Sequence, residues 1–311
     1  MTSPASVPGS TSSAHISGLT IAVTAAILFS AKAILAKLMY RYQVDALMVM
    51  ALRMLFSVPF FFLIGWWQAR KSTPLSWPDR GRIVVLGFIG YYLSSYLDFL
   101  GLQYITAALE RLILYLTPSF VLLLSVIFLK RSITRRQLLS LAIAYAGILL
   151  VLSHDLDLAG SNVWLGTTLI TLSAVLYAVY LIASGELVKR VGALRLVAYA
   201  MCVSTVPSVL QFVLLRPVES LWLQPTPVYW LSILNAIMCT VLPVTMTMVA
   251  VSRIGAPLAS QAGLVGPVST LFLGFWLLGE PITAWQIAGG SLVMAGMYLL
   301  TSVPRLDKRL P

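Results

Sequence analysis

Windows of about 20 apolar residues, the length a helix needs to cross a hydrocarbon core, recur ten times along this chain. They lie at about 17–37, 47–68, 83–102, 105–129 and 136–153, then at about 163–184, 195–215, 227–250, 256–279 and 284–302. Short breaks separate them, such as Arg216-Pro217, Pro225-Thr226-Pro227 and Gly279-Glu280-Pro281. Inside a bilayer every backbone polar group must pair within the segment, so each window predicts a spanning helix. Composition agrees, since 59% hydrophobic and 10% charged residues leave too little polar surface to coat a soluble domain of 311 residues. The expected architecture is all-α, with ten transmembrane helices.

The net charge of +11 has its origin in topology. Lys and Arg fall in short clusters between apolar runs, not in a stripe interleaved with aromatics, so no nucleic-acid partner is expected. With the N-terminus inside, inner loops and the C-terminal tail hold Arg70, Lys71, Arg80, Arg82, Lys130, Arg131, Arg135, Arg136, Lys189, Arg190, Arg195, Arg253, Arg305, Lys308 and Arg309. Outer loops hold only Lys37, Arg41 and Arg216. That asymmetry predicts both termini cytoplasmic in a multi-pass cell inner membrane. Residues 1–16 are Ser/Thr/Pro-rich and lack the basic start and apolar core of a cleaved signal, so they read as a disordered tail.

Sliding the sequence along itself reveals a repeat. Thr117-Pro118 through Ser153 aligns without gaps on Gly266-Pro267 through Ser302, an offset of 149. Pro118 meets Pro267, Gln137 meets Gln286 and Gly147 meets Gly296; earlier, Gly18 meets Gly166 and Ile34 meets Ile182 at an offset of 148. The halves are expected at 17–153 and 163–302, with an outer linker at 154–162 and a basic tail at 303–311. An odd number of spans per half makes the second half enter the membrane in the opposite sense, an inverted repeat suited to alternating access.

Pro118 followed by Leu129-Lys130-Arg131, Gln137 and Gly147, and again Pro267 followed by Leu278-Gly279-Glu280-Pro281, Gln286 and Gly296, resemble the EamA repeat of the drug/metabolite transporter superfamily. The first repeat departs from the pattern, with Lys130 where the second has Glu280, which leaves Glu280 no clear role beyond capping or loop solvation. The chain as a whole is similar to the YddG-type exporters of aromatic amino acids. The resemblance implies a secondary transporter with a central site between the repeats.

Charges within spans are costly, at least ~2.5 kcal/mol each at a helix centre on insertion scales. Lys32, Arg53, Asp98, Glu110 and Arg111 are five such residues, all in the first half and all a few residues from the nearest outer helix end. They are expected to share one layer. Asp98 and Arg111 are nearly equidistant from the turn near Tyr104, which predicts an ion pair between them. Either these charges lock the hairpin and Lys32 snorkels outward, or Lys32 or Arg53 holds a substrate carboxylate while Asp98 or Glu110 attracts an ammonium or carries a coupling proton.

Ser173, Tyr177, Tyr180 and Ser184 follow helical spacing along the sixth span, while Tyr92, Tyr96 and Phe99 share one face of the third and Tyr91, Ser94 and Asp98 another. Such stripes suit either a site for an aromatic solute or interhelical packing. The second half supplies Asn235, Met238, Thr240, Met246 and Gln261, with Met238 and Gln261 as candidate substrate contacts. Pro243 and Pro267 are each expected to remove a helical hydrogen bond, and together with Gly263 and Gly266 to form hinges. The Trp residues near span ends read as an interfacial belt.

No G-x-x-x-x-G-K-[ST], H-E-x-x-H or G-x-S-x-G occurs, and His15 and His154 are not placed for metal or triad chemistry. Cys202 and Cys239 each stand alone in an apolar segment and read as packing residues. The expectation is therefore a transporter and not an enzyme, without cofactor or metal, acting as a monomer on a small amino acid or amphipathic metabolite. Efflux of aromatic organic cations is the nearest alternative; a lipid-processing enzyme or a channel fits less well.

Overall fold

The computed structural model describes residues 10–130, 133–159, 162–263 and 265–301. Among them the secondary structure is entirely helical. The spans are α1 (Ser10–Tyr40), α2 (Ala46–Arg70), α3 (Trp77–Leu102), α4 (107–129), α5 (Arg135–Ala159), α6 (Asn162–Val191), α7 (Ala193–Leu215), α8 (226–262), α9 (Val265–Leu278) and α10 (Ala284–Thr301). Eight of these contain apolar stretches of 20 to 29 residues, ample for a membrane, while α9 and α10 are shorter. Side chains such as Phe62, Ile127, Phe128, Leu214 and Trp276 point outward and exposed, as lipid-facing residues do.

The two halves interlock. α2 packs on α7 and α5 on α10, each helix meeting its own counterpart, while α1 packs against α8 and α9 and α6 against α3 and α4. The first helix of each repeat thus lies in the other repeat. At the α5–α10 crossing, a Cβ on Gly147 would stand 2.5 Å from the Gly289 carbonyl oxygen, and one on Gly289 the same distance from that of Gly147. No side chain fits there, and the Ser140 hydroxyl adds a hydrogen bond to the Gly296 carbonyl.

Helix ends follow local chemistry. Asp45 caps α2 by accepting from the Met48 amide at 2.9 Å, and its other oxygen accepts from Arg216 Nε and Nη2 at 3.0 and 2.6 Å, tying the start of α2 to the end of α7. Lys130 and Gly279, 149 residues apart, both end their helices in the left-handed region at φ 51° and 72°. Gly279 is therefore the counterpart of Lys130, which corrects the match of Lys130 with Glu280. Trp66, Trp67 and Trp77 lie at span ends with Arg70, Lys71 and Arg80 over their rings at 3.7, 3.7 and 4.8 Å, as residues of an interfacial belt do.

Two features depart from expectation. Residues Phe88–Leu93 in α3 and Ile237–Val241 in α8 are π-helical, starting 149 residues apart, so both repeats carry the same wide turn. In α8 the Thr240 hydroxyl donates to the Asn235 carbonyl at 3.0 Å across this turn, and Pro243, two residues beyond it, is absorbed without ending the helix. Secondly, α9 begins at Val265 rather than near 256, because α8 continues to Ala262. Gly263 belongs to the turn, its carbonyl accepting from the Gly266 amide at 2.9 Å. Gly266 and Pro267 occupy the first turn of α9. The expectation that Pro267 removes a helical hydrogen bond is corrected here, since an amide in a first turn has no intrahelical partner to lose.

Candidate functional site

The five intramembrane charges lie in one layer formed by α1 to α4. Lys32 is 5% exposed, Arg53 5%, Asp98 3% and Glu110 1%, while Arg111 is partly exposed. Lys32 Nζ donates to Asp98 Oδ2 and stands 3.4 Å from Glu110 Oε1, an ion-pair distance without hydrogen-bond alignment. One ammonium therefore serves two carboxylates. The Asp98–Arg111 pair expected from depth does not form: among the described residues Arg111 makes no ion pair. Depth was matched, but consecutive residues on a helix point about 100° apart. Glu110 turns toward α1, and Arg111 turns toward α9, where its Nη2 would lie 2.6 Å from a Cβ on Gly266.

Two rings are shared by the cations. Phe99 has Arg53 at 4.9 Å and Lys32 at 5.6 Å from its centroid; Phe29 has Lys32 at 5.6 Å and Arg111 at 5.0 Å. Phe29 was not singled out in the sequence, though its place three residues before Lys32 on one helix face was the available signal. Arg53 Nη2 donates to the Ser95 hydroxyl at 3.1 Å. Buried atoms lacking a hydrogen-bond partner include Asp98 Oδ1, Glu110 Oε1 and Oε2, Arg53 Nε and Arg111 Nε. Buried titratable groups in this condition make the layer the candidate site.

The tyrosines divide. Tyr91, Tyr177 and Tyr180 form a cluster between α3 and α6: Tyr177 stacks on Tyr180 at 5.5 Å, and the Tyr91 hydroxyl donates to that of Tyr180 at 3.3 Å. Tyr180 is buried against Gly90, in the π segment of α3. Beside it Ser94 and Ser173 exchange hydrogen bonds, each hydroxyl donating to the other's carbonyl at 3.1 and 2.8 Å. Ser173 and Tyr180 thus serve the α3–α6 contact. Tyr92 and Tyr96 stay partly exposed, Tyr92 with its ring 5.0 Å from Phe88.

From the second repeat, Ser232 donates to Met39 Sδ at 3.2 Å, which sets the register of α8 on α1. Cys239 then lies within electrostatic reach of Lys32 and Arg53, one feature its reading as a plain packing residue did not anticipate. Met238 is on the exposed side of the same turn, and the side chain of Gln261 lies outside the described residues. Pro243 and Pro267 are buried, and Gly266 accepts a hydrogen bond from Ser30 at 3.0 Å, so the α9 start is fastened to α1. Glu280 has a definite role: it accepts from the Ala107 amide at 3.2 Å, capping α4 of the other repeat, and pairs with Lys37 at 3.1 Å.

The EamA-like transporter family matches residues 16–153 and again 164–302. The chain belongs to that family. EamA members among its relatives include an uncharacterized transporter of Bacillus subtilis, YcbK, 28% identical over 268 residues that cover 85% of this chain and 86% of the relative. A protein of Salmonella typhimurium named a probable amino-acid metabolite efflux pump is 25% identical over 62% of this chain and 67% of its own. A solved crystal structure shares the fold, with a TM-score of 0.65 at 18% identity over 91% of this chain and 96% of that one. This EamA protein is therefore a multi-pass membrane transporter and not an enzyme.

Proposed function

We propose that this EamA protein is a secondary transporter that exports aromatic and other apolar amino acids by alternating access through a site between the repeats. In this reading it sits in a cell inner membrane with both termini cytoplasmic, which the distribution of Lys and Arg among the loops supports. The observation that carries this reading is the buried layer around Lys32, where charges of both signs and aromatic faces lie together. A zwitterion with an apolar side chain needs such a combination. Of the candidate contacts, Tyr92 and Tyr96 keep accessible rings, and Lys32, Asp98 and Glu110 supply charge. The Salmonella relative's name supports amino-acid export. Efflux of organic cations is less well supported, because both carboxylates that would attract a cation pair with Lys32 and the layer holds Arg53 and Arg111 besides, three cations to two carboxylates.

The test is uptake of radiolabelled phenylalanine, tryptophan and leucine into proteoliposomes, with and without an imposed pH gradient. Saturable aromatic uptake is the expected result, and a response to the gradient would add proton coupling. No uptake by correctly inserted protein, alongside transport of an aromatic cation, would replace this reading with multidrug efflux.

A further inference from the structure

The layer holds three cations and two carboxylates, all buried except the partly exposed Arg111, and Lys32 pairs with both carboxylates. Arg53 and Arg111 are left without a counter-charge among the described residues, so the layer carries an excess of one positive charge in a medium that penalises it. Arg53 is the deeper of the two. Among the described residues its one hydrogen bond is to Ser95, its Nε is unpartnered, and the Phe99 ring centroid lies 4.9 Å from its guanidinium. α8 packs on the α2 that carries Arg53, and its Asn235 is fully buried at 0% exposure with both amide atoms unpartnered. A guanidinium fork with open donors is a receptor for a compact planar anion, and a buried amide with open donors can add a hydrogen bond to it. The residue 148 positions after Arg53 is Met201, so the second repeat holds no equivalent cation.

We infer that the solute carries a carboxylate and that Arg53, assisted by Asn235, receives it, while Lys32 acts as an internal counter-ion. This rests on the layer being the transport site, but not on the solute being an amino acid. Of the two cations the sequence offered for a carboxylate, Lys32 and Arg53, it selects Arg53.

The purified full-length protein in detergent distinguishes these possibilities by ligand-induced shifts in thermal unfolding and by titration calorimetry. The probes are phenylalanine, 3-phenylpropionate, which lacks the ammonium, and phenylalaninamide and phenethylamine, which lack the carboxylate. Phenylalanine and phenylpropionate are expected to bind and the two cations not to. Arg53→Gln should weaken both carboxylates at least tenfold, Arg53→Lys less, and Arg111→Gln little. If Arg53→Gln fails to fold, Arg53→Lys and the wild-type probe series decide. Binding of the cations without the carboxylates would overturn the inference, as would unchanged affinity in a folded Arg53 variant or a loss confined to Arg111→Gln. If phenylpropionate binds through Arg53 and phenylalanine neither binds nor is transported, the inference stands and amino-acid export falls.

Discussion

Lys32 holds two buried carboxylates unequally, Asp98 by a hydrogen bond and Glu110 at 3.4 Å without one. Removing one partner of a buried pair strands the other charge, at a cost of about 3–5 kcal/mol. Lys32→Met should therefore destabilise more than Glu110→Gln, and Lys32→Met combined with Asp98→Asn should recover part of the loss, measured by thermal unfolding in detergent. A double variant no more stable than Lys32→Met would show that Asp98 does not depend on Lys32. The sequence made the layer legible, because charge in an apolar span is rare and distance from a helix end gives depth. It did not make the pairing legible, because rotation about the helix axis decides whether Glu110 or Arg111 meets α1. Tyr91 and Tyr180 show the same limit: helical spacing found their faces but not that they face each other.

Among the elements, the α5–α10 crossing brings backbones so close that Gly147→Ala would push a methyl group against the Gly289 carbonyl. Gly185 in α6 has nothing within 4 Å of an added Cβ. Gly147→Ala should lower the unfolding temperature and the folded yield, while Gly185→Ala should be neutral or slightly stabilising, since alanine is the better helix former by about 0.8–1.0 kcal/mol. Equal yields and melting temperatures for the two would contradict this packing. Helix number and the repeat were legible from apolar length and self-alignment. The π turns were not, because neither segment's composition differs from an ordinary helix. The α9 start was placed near 256 because apolar length alone does not mark where one helix ends and the next begins, whereas the break falls at Gly263, with Pro267 in a first turn that tolerates it.

At the scale of the molecule, Glu280 joins the α9–α10 loop to Lys37 of α1 and to the first turn of α4, while Arg41 donates to the Leu278 carbonyl nearby. These contacts tie the two repeats together at this end. Glu280→Ala should make a cysteine placed at Gln103, in the exposed turn that precedes Ala107, react faster with a membrane-impermeant maleimide, and Glu280→Gln should have a smaller effect because an amide oxygen still accepts from Ala107. Unchanged labelling in both would mean that the contact does not govern access. Sequence comparison between repeats could not reveal this role, since the partners of Glu280 are more than 170 residues away.

The exchange of first helices between repeats also has a consequence in time. α1 is complete at Tyr40, but the helices it packs against start at Thr226 and Val265, so the 185 residues 41–225 must be made before its first main partner begins. At about 5–20 residues per second of synthesis, α1 waits roughly 10–40 s in the membrane with that face uncovered. During this interval only its contacts with its own half, above all Lys32 with Asp98 and Glu110, can hold it in place. The ion cluster thus reads as an early clasp in biogenesis, assembled well before the surface it serves in the finished transporter exists.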